Sequence, residues 1–216
     1  MQGLAQQTAA IFDKIATLDC IRPYVLVGGT ALSLQLGTRV SEDLDFQQWK
    51  LHKSDKLEVD WVAIEKELKT VGQITNRDIW DFNHVEFLLS GVKISFYIFP
   101  DRKPEKMTSI NIQGNLQVAD IRSIGAMKME VLLRRNTFRD YYDIYSILKS
   151  GVNLRETVEI ALKYSGHLLS TKNLLAILSD CSHFSADKEF AKLQPIYDVT
   201  PKEIETFIKR EISSNF

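Results

Sequence analysis

A chain of 216 residues with 44% hydrophobic and 25% charged residues has the make-up of a soluble globular protein with room for one large domain or two small ones. Its formal charge of -1 carries no global preference for a partner, so any basic surface must be local. No apolar run approaches the roughly 18 to 20 residues that span a bilayer, and no membrane partner is expected.

The opening segment, "MQGLAQQTAAIFDKIATLD", has no charged stretch leading into an apolar block. No signal peptide is expected, and the cytoplasm is the expected compartment. Leu4, Ile11, Ile15 and Leu18 fall near helical spacing and predict an amphipathic first helix. Cys20 and Cys181 lie far apart without metal-type spacing, which predicts buried thiols. Tyr24 to Val27 reads as a short buried strand, Thr30 to Leu36 as a helix stopped by Gly37, and Asp43 to Trp49 as a second strand. Trp61, Ile64, Leu68 and Val71 make one stripe of a helix over 59–72, closed by Gly72. "HVEFLLSGVKISFYIFP" holds two β-type runs broken at Ser90-Gly91, a hairpin ended by Pro100 and Pro104.

After "LQVADIRS" the pattern turns helical, with helices expected over 120–134, 138–149 closed by Gly151, 154–164, 171–180 and 201–213. The last opens on a capping box, with Thr200 as N-cap, Pro201 at N1 and Glu203 at N3. The expected fold class is therefore α+β. Residues 1–118 would form a domain with a mixed sheet and flanking helices, and residues 119–216 a helical domain.

Chemistry concentrates in "VLVGGTALSLQLGTRVSEDLDF", residues 25–46. A glycine pair between a strand and a helix, Gly28-Gly29, lets backbone approach a phosphate with the helix-start N–H groups pointing at it. An ordinary tight turn uses the same pair. Asp43 and Asp45 alternate across Leu44, so both carboxylates project to one face of a strand whose other face, marked by Leu44 and Phe46, is core. Like charges so close repel unless a cation neutralises them. Two carboxylates near phosphates suit Mg²⁺, or Mn²⁺ in its place. Asp is also a poor strand former, so the pattern needs a reason.

A second cluster lies in "IGAMKMEVLLRRNTFRDYYDIYSIL". Lys128 and Arg135 are seven apart and share a helical face. Residues 122–139 carry Arg122, Lys128, Arg134, Arg135 and Arg139 against one acid, Glu130. That is either a patch for phosphates or a solvated helix face. Thr137 and Asp140 are spaced to cap a helix start, and Asp143 lies one turn on, within reach of Arg135 or Lys128. His52, His84, His167 and His183 have no ligand spacing and are expected in structural or surface roles. No G-x-x-x-x-G-K-[ST], G-x-S-x-G or C-x-x-C motif is present.

The order Gly-Gly, then Asp-x-Asp after about a dozen residues, resembles the signature of the nucleotidyltransferase superfamily with a polymerase-β-like fold. The wording "GGTAL…R-x-S-E-D-L-D-F" resembles the AbiEii/AbiGii toxin branch, the toxin half of type IV toxin–antitoxin systems. The Lys, Arg, Arg-Asp-x-x-Asp block is similar to that branch's later motif. The resemblance is strong over 25–49 and 118–150. It implies a nucleotidyltransferase-type N-terminal sheet and transfer of a nucleotide from an NTP to a hydroxyl of RNA, most plausibly a tRNA 3′ end. It also implies a cognate antitoxin encoded next to it, and a place in phage defence. In site terms, Asp43 and Asp45 would hold the metal, Gly28, Gly29, Thr30, Arg39, Ser41, Arg135 and Arg139 would bind the nucleotide, and Lys128, Asp140 and Asp143 would complete the catalytic set.

One departure stands out. The superfamily adds a third carboxylate on a later strand, and the aligned position in "VKISFYIF" holds Ser95. Either two carboxylates suffice, or Glu86, Asp101, Asp140 or Asp143 substitutes, or transfer is weak. A nucleotide- or partner-binding module without turnover is the alternative reading. A D-x-D glycosyltransferase shares the metal logic but fits the Gly-Gly lead-in and the Lys/Arg-Asp helix poorly.

Overall fold

The computed structural model describes residues 3–50, 52, 54–99, 107–166 and 168–216. Pro100, Asp101, Pro104 and His167, which the sequence reading invoked, lie outside the described residues. The chain divides into two units, Met1–Leu34 with Val40–Asp120, and Gln35–Arg39 with Ile121–Phe216.

The first unit is built on one mixed sheet of seven strands in the order β3-β4-β5-β2-β1-β7-β6. These are β1 (Val25–Val27), β2 (Leu44–Trp49), β3 (Ile74–Asp81), β4 (His84–Leu89), β5 (Val92–Phe99), β6 (Ser109–Gln113) and β7 (Leu116–Ala119). β1 runs antiparallel to β2 and parallel to β7, and β2 runs parallel to β5. Leu44 and Phe46 of β2 stand in register with Ile94 and Phe96 of β5, and all four are buried. Phe96 stacks on Phe46, with ring centroids 5.1 Å apart, and meets the edges of Tyr24 and Phe87. Helices α1 (Gln6–Ile15) and α3 (Trp61–Val71) add Ile11, Phe12, Ile15, Ile64 and Leu68 to the buried set. Asp60 caps α3, its Oδ1 accepting the Ala63 N–H at 3.1 Å. Leu18, expected on the first helix, follows its end.

Ser90 and Gly91 turn the β4–β5 hairpin with φ of +50° and +83°, the left-handed pair of a type I′ turn. The sequence reading missed β3, β6 and β7. β3 and β6 are the two sheet edges, and nearly all of their residues face solvent in part or in full. Without a buried face they show no apolar alternation to read. β7 has only four residues.

The second unit holds α4 (Ile121–Val131), α5 (Phe138–Lys149), α6 (Leu154–Tyr164), α7 (Thr171–Leu178) and α8 (Pro201–Asn215), with two short 3-10 turns before α8. The expected capping box at Thr200 and Glu203 is formed. α4 ends at Val131, short of the expected 134. A Cβ at Gly125 would lie 3.0 Å from Thr157 Cγ2, so the glycine permits close approach of α4 to α6. Tyr141 lies flat on Phe184, with centroids 3.9 Å apart, and donates to Leu178 O. Segment 35–39 joins this unit through Thr38 O, which accepts from the Tyr142 hydroxyl at 2.9 Å and from Ile196 N at 3.0 Å. Both cysteines are free thiols and half-buried rather than buried as expected. Burial first, then Glu67, raises the Cys20 thiol to about 12, which keeps it unreactive.

Candidate active site

In the first unit, α2 (Gly28–Leu36) starts directly after β1, with no intervening loop. Gly28 makes this turn at φ +72°, a conformation that side chains disfavour. The β1–β2 register pairs Val27 with Asp45, which brings the helix start beside that carboxylate. A Cβ on Gly28 would sit 3.0 Å from Asp45 Oδ2. The other oxygen, Oδ1, accepts the Ser95 hydroxyl at 2.7 Å, across the β2–β5 pair that sets Asp45 opposite Ser95. Asp45 is thus held at Oδ1 by a neutral donor, while Oδ2 occupies space beside the turn that only a glycine at position 28 leaves open.

Asp43 immediately precedes β2 and remains open, its side chain 44% exposed. Lys93 Nζ lies 3.4 Å from Asp43 Oδ2. Glu86 stands opposite Ser95 on β4, so Asp45, Ser95 and Glu86 form one row on one face of the sheet. Glu86 is also 3.5 Å from His84 Nε2. Lys93 is held above the usual lysine range: burial opposes the ammonium, but Asp43, Asp45 and Glu86 outweigh it.

The donor set fits a hard divalent cation, with two carboxylates at adjacent alternating positions and no competing soft ligand beside them. Among the described residues, no group of three or more His, Cys, Asp or Glu side chains could hold a metal. The fit is therefore to a two-carboxylate site. A cavity of about 410 Å³ opens elsewhere in this unit, lined by Tyr24, Gln48, Asp60 and Ile64 among others, and includes neither carboxylate.

Thr30 and Ser41, expected to touch the nucleotide, turn inward instead. Both are buried. The Thr30 hydroxyl donates to Ser41 Oγ at 2.9 Å and makes a short contact with the Asp43 carbonyl. Ser41 N donates to Gly3 O at 2.9 Å. These hydroxyls brace the loop that presents Asp43.

The second unit gathers the other expected residues into a buried ion network. Asp143, fully buried, takes Arg39 in a two-point clasp, Nε to Oδ1 at 2.7 Å and Nη2 to Oδ2 at 2.8 Å. Lys128 Nζ reaches Asp143 Oδ2 at 2.6 Å and Asp140 Oδ1 at 2.9 Å. Arg135 binds Asp140 from the other side at 3.0 and 3.2 Å, and its side chain is 60% exposed. Thr137 caps α5 as expected, and its hydroxyl also meets Asp140 Oδ2 at 2.7 Å.

Two expectations about this region are corrected, and one is resolved between its alternatives. Arg39 is 2% exposed and clasped by Asp143, so it is not a surface contact for a nucleotide. Of the two cations expected within reach of Asp143, Lys128 is the one that pairs with it, and Arg135 pairs with Asp140. The expected basic patch is largely neutralised: Arg122 pairs with Glu156, Arg134 with Glu130 and Arg139 with Asp187. Two of these acids, Glu156 and Asp187, lie far along the chain, where residue spacing cannot find them, while Glu130 is the i,i+4 neighbour of Arg134. The network itself, with three cations on two carboxylates, keeps one positive charge in excess, and its exposed member is Arg135. Burial raises both carboxylates, yet Lys128 first, then the arginines, hold them below the usual range, Asp140 at about 2.

A mixed sheet that delivers a glycine helix-start onto one aspartate of an alternating pair is the arrangement of a nucleotidyltransferase fold. Solved structures similar to this chain agree. An H. pylori protein assigned as a nucleotidyltransferase matches with a TM-score of 0.55 at 18% identity, over 97% of this chain and 96% of that one. MenT4, a nucleotidyltransferase toxin from Mycobacterium tuberculosis H37Rv, matches with a TM-score of 0.57 at 17% identity, over 89% of this chain and 75% of that one. The family model "Nucleotidyl transferase AbiEii toxin, Type IV TA system" matches residues 20–211, and the chain belongs to that family. A relative from Aquifex aeolicus (strain VF5), uncharacterized protein aq_aa25, is 24% identical over 221 residues, covering 98% of this chain and 97% of its own.

Proposed function

We propose that this chain moves a nucleoside monophosphate from an NTP to a hydroxyl of RNA, the 3′ end of tRNA being the acceptor. The transfer would serve as the toxic activity of a type IV toxin–antitoxin pair in the cytoplasm, restrained by an antitoxin encoded next to it and engaged in phage defence. One observation carries the reading: Asp45 is held by Ser95 in the space beside the Gly28 turn while Asp43 next to it stays open. The N–H groups of Gly28 and Gly29 suit the phosphates. Mg²⁺ held by Asp43 and Asp45 would neutralise charge building on the triphosphate. The acceptor oxygen bonds to the α-phosphorus as the bond from that phosphorus to the bridging oxygen breaks. Pyrophosphate leaves with the electron pair, and the hydroxyl proton passes to water. In the helical unit, Arg135 at the solvent rim would supply a phosphate-binding cation, oriented by Asp140, with Lys128 beneath it bridging Asp140 and Asp143 and leaving the network one positive charge in excess.

The test is incubation with each labelled NTP and total RNA, alongside growth on expression. Asp43→Ala should remove both labelling and growth arrest while the protein stays folded. Full toxicity from a folded Asp43→Ala protein overturns the reading. Ser95, standing where a carboxylate was expected, favours a second reading: a nucleotide- or partner-binding module without turnover. NTP binding with no pyrophosphate released from any RNA pool would select it.

A further inference from the structure

We propose that the Lys93 ammonium is a built-in counter-cation of the acid site, filling the charge role of a second metal ion, so that the site works with one divalent ion. The inference rests on the reading of Asp43 and Asp45 as the metal-holding pair.

Lys93 and Ser95 alternate on β5 and therefore share a face. The parallel register that sets Leu44 opposite Ile94 and Asp45 opposite Ser95 runs Asp43 alongside Lys93. The ammonium lies 3.4 Å from Asp43 Oδ2. Ser95 gives Asp45 a hydrogen bond but no charge, so where a third carboxylate was expected this face carries a neutral donor, with a cation two residues away.

The charges point the same way. The three carboxylates that act on Lys93, those of Asp43, Asp45 and Glu86, sum with its ammonium to a formal charge of -2, which one divalent ion cancels. A two-ion site would leave it positive before any phosphate arrived.

A plain surface ion pair is the competing explanation. Both partners are nearly half exposed, at 45% and 44%, and such pairs add little to stability. The structural role is thus small, and the two explanations differ in what happens to metal binding.

The experiment titrates the full chain with Mn²⁺ alone and follows unbound Mn²⁺ by electron paramagnetic resonance. It compares wild type with Lys93→Met, Lys93→Arg and the double variant Lys93→Met/Ser95→Asp, each checked for fold by circular dichroism. Wild type should bind one Mn²⁺. Lys93→Met should bind it roughly tenfold more tightly, having lost a competing charge, yet transfer nucleotide more slowly. Lys93→Arg should stay near wild type in both, and the double variant should bind a second ion. Two Mn²⁺ on wild type, or unchanged affinity in Lys93→Met, overturns the role of Lys93 while leaving the acid pair as a metal site. No Mn²⁺ binding by any of these proteins overturns the metal reading itself, and this inference with it.

Discussion

Asp43 and Asp143 are both aspartates beside cations, and the contrast between them separates two uses of a carboxylate. Asp43 is 44% exposed with one lysine at 3.4 Å. Asp143 is fully buried between Arg39 at 2.7 Å and Lys128 at 2.6 Å. An exposed pair contributes little to stability but leaves oxygens available to a ligand. A buried one is silent towards ligands, and removing one partner strands uncompensated charge. The sharpest way to break the comparison is to remove each acid in turn. Asp43→Ala should cut nucleotide transfer by on the order of a thousandfold or more, as loss of a metal ligand does, with the thermal midpoint unchanged.

Asp143→Asn should do the reverse in kind. It leaves Arg39 and Lys128 buried without their shared partner, which costs about 3–5 kcal/mol. Chemical denaturation would show it as a lower midpoint at constant slope. A variant of unchanged stability would mean that water, not Asp143, solvates those cations.

The same contrast extends to pH. Asp140 titrates at about 2 in the folded protein, against an ordinary aspartate near ~3.9 in the unfolded chain. A depressed carboxylate contributes stability above its unfolded value and loses it as pH falls through the folded one. Asp140 is fully buried, so its share is roughly 2 kcal/mol, lost between about pH 4 and 2. Asp143 is shifted in the same direction and steepens the loss. Denaturation midpoints from pH 6 downward should fall in this window, and Asp140→Asn should flatten the curve. An unchanged slope in that variant would assign the acid lability to other groups.

How far the sequence could be read follows from which forces left local traces. Gly28-Gly29 and Asp43-Leu44-Asp45 were legible because a turn and a strand impose short periods, and the cap at Thr137 and the box at Thr200 because capping chemistry has fixed spacing. That Asp140 and Asp143 lie one turn apart at the start of α5 was legible from helical spacing. The clasp of Arg39 on Asp143 was not, because it joins residues 104 positions apart. The approach of Lys93 to Asp43 was hidden for the same reason: alternation puts Lys93 on the Ser95 face, but its place beside Asp43 depends on β2 pairing in parallel with β5, a register that neither strand encodes alone. Thr30 and Ser41 sit inside the motif, but motif membership does not say which way a hydroxyl turns.

The smallest effect probes the sheet half of the comparison without touching an acid. Gly28 sits at φ +72°, and moving an alanine there costs on the order of 1 kcal/mol. Its Cβ would also meet Asp45 Oδ2 at 3.0 Å, a contact that the carboxylate can relieve only by shifting from the Ser95 hydroxyl that holds Oδ1. Gly28→Ala should therefore lower the thermal midpoint modestly while weakening Mn²⁺ binding, with transfer down by roughly tenfold. Asp43 is untouched by the change, so the residual activity should still depend on it. If Gly28→Ala lost stability but kept full Mn²⁺ affinity, the glycine would serve the turn alone, and the space it leaves beside Oδ2 would not matter to Asp45.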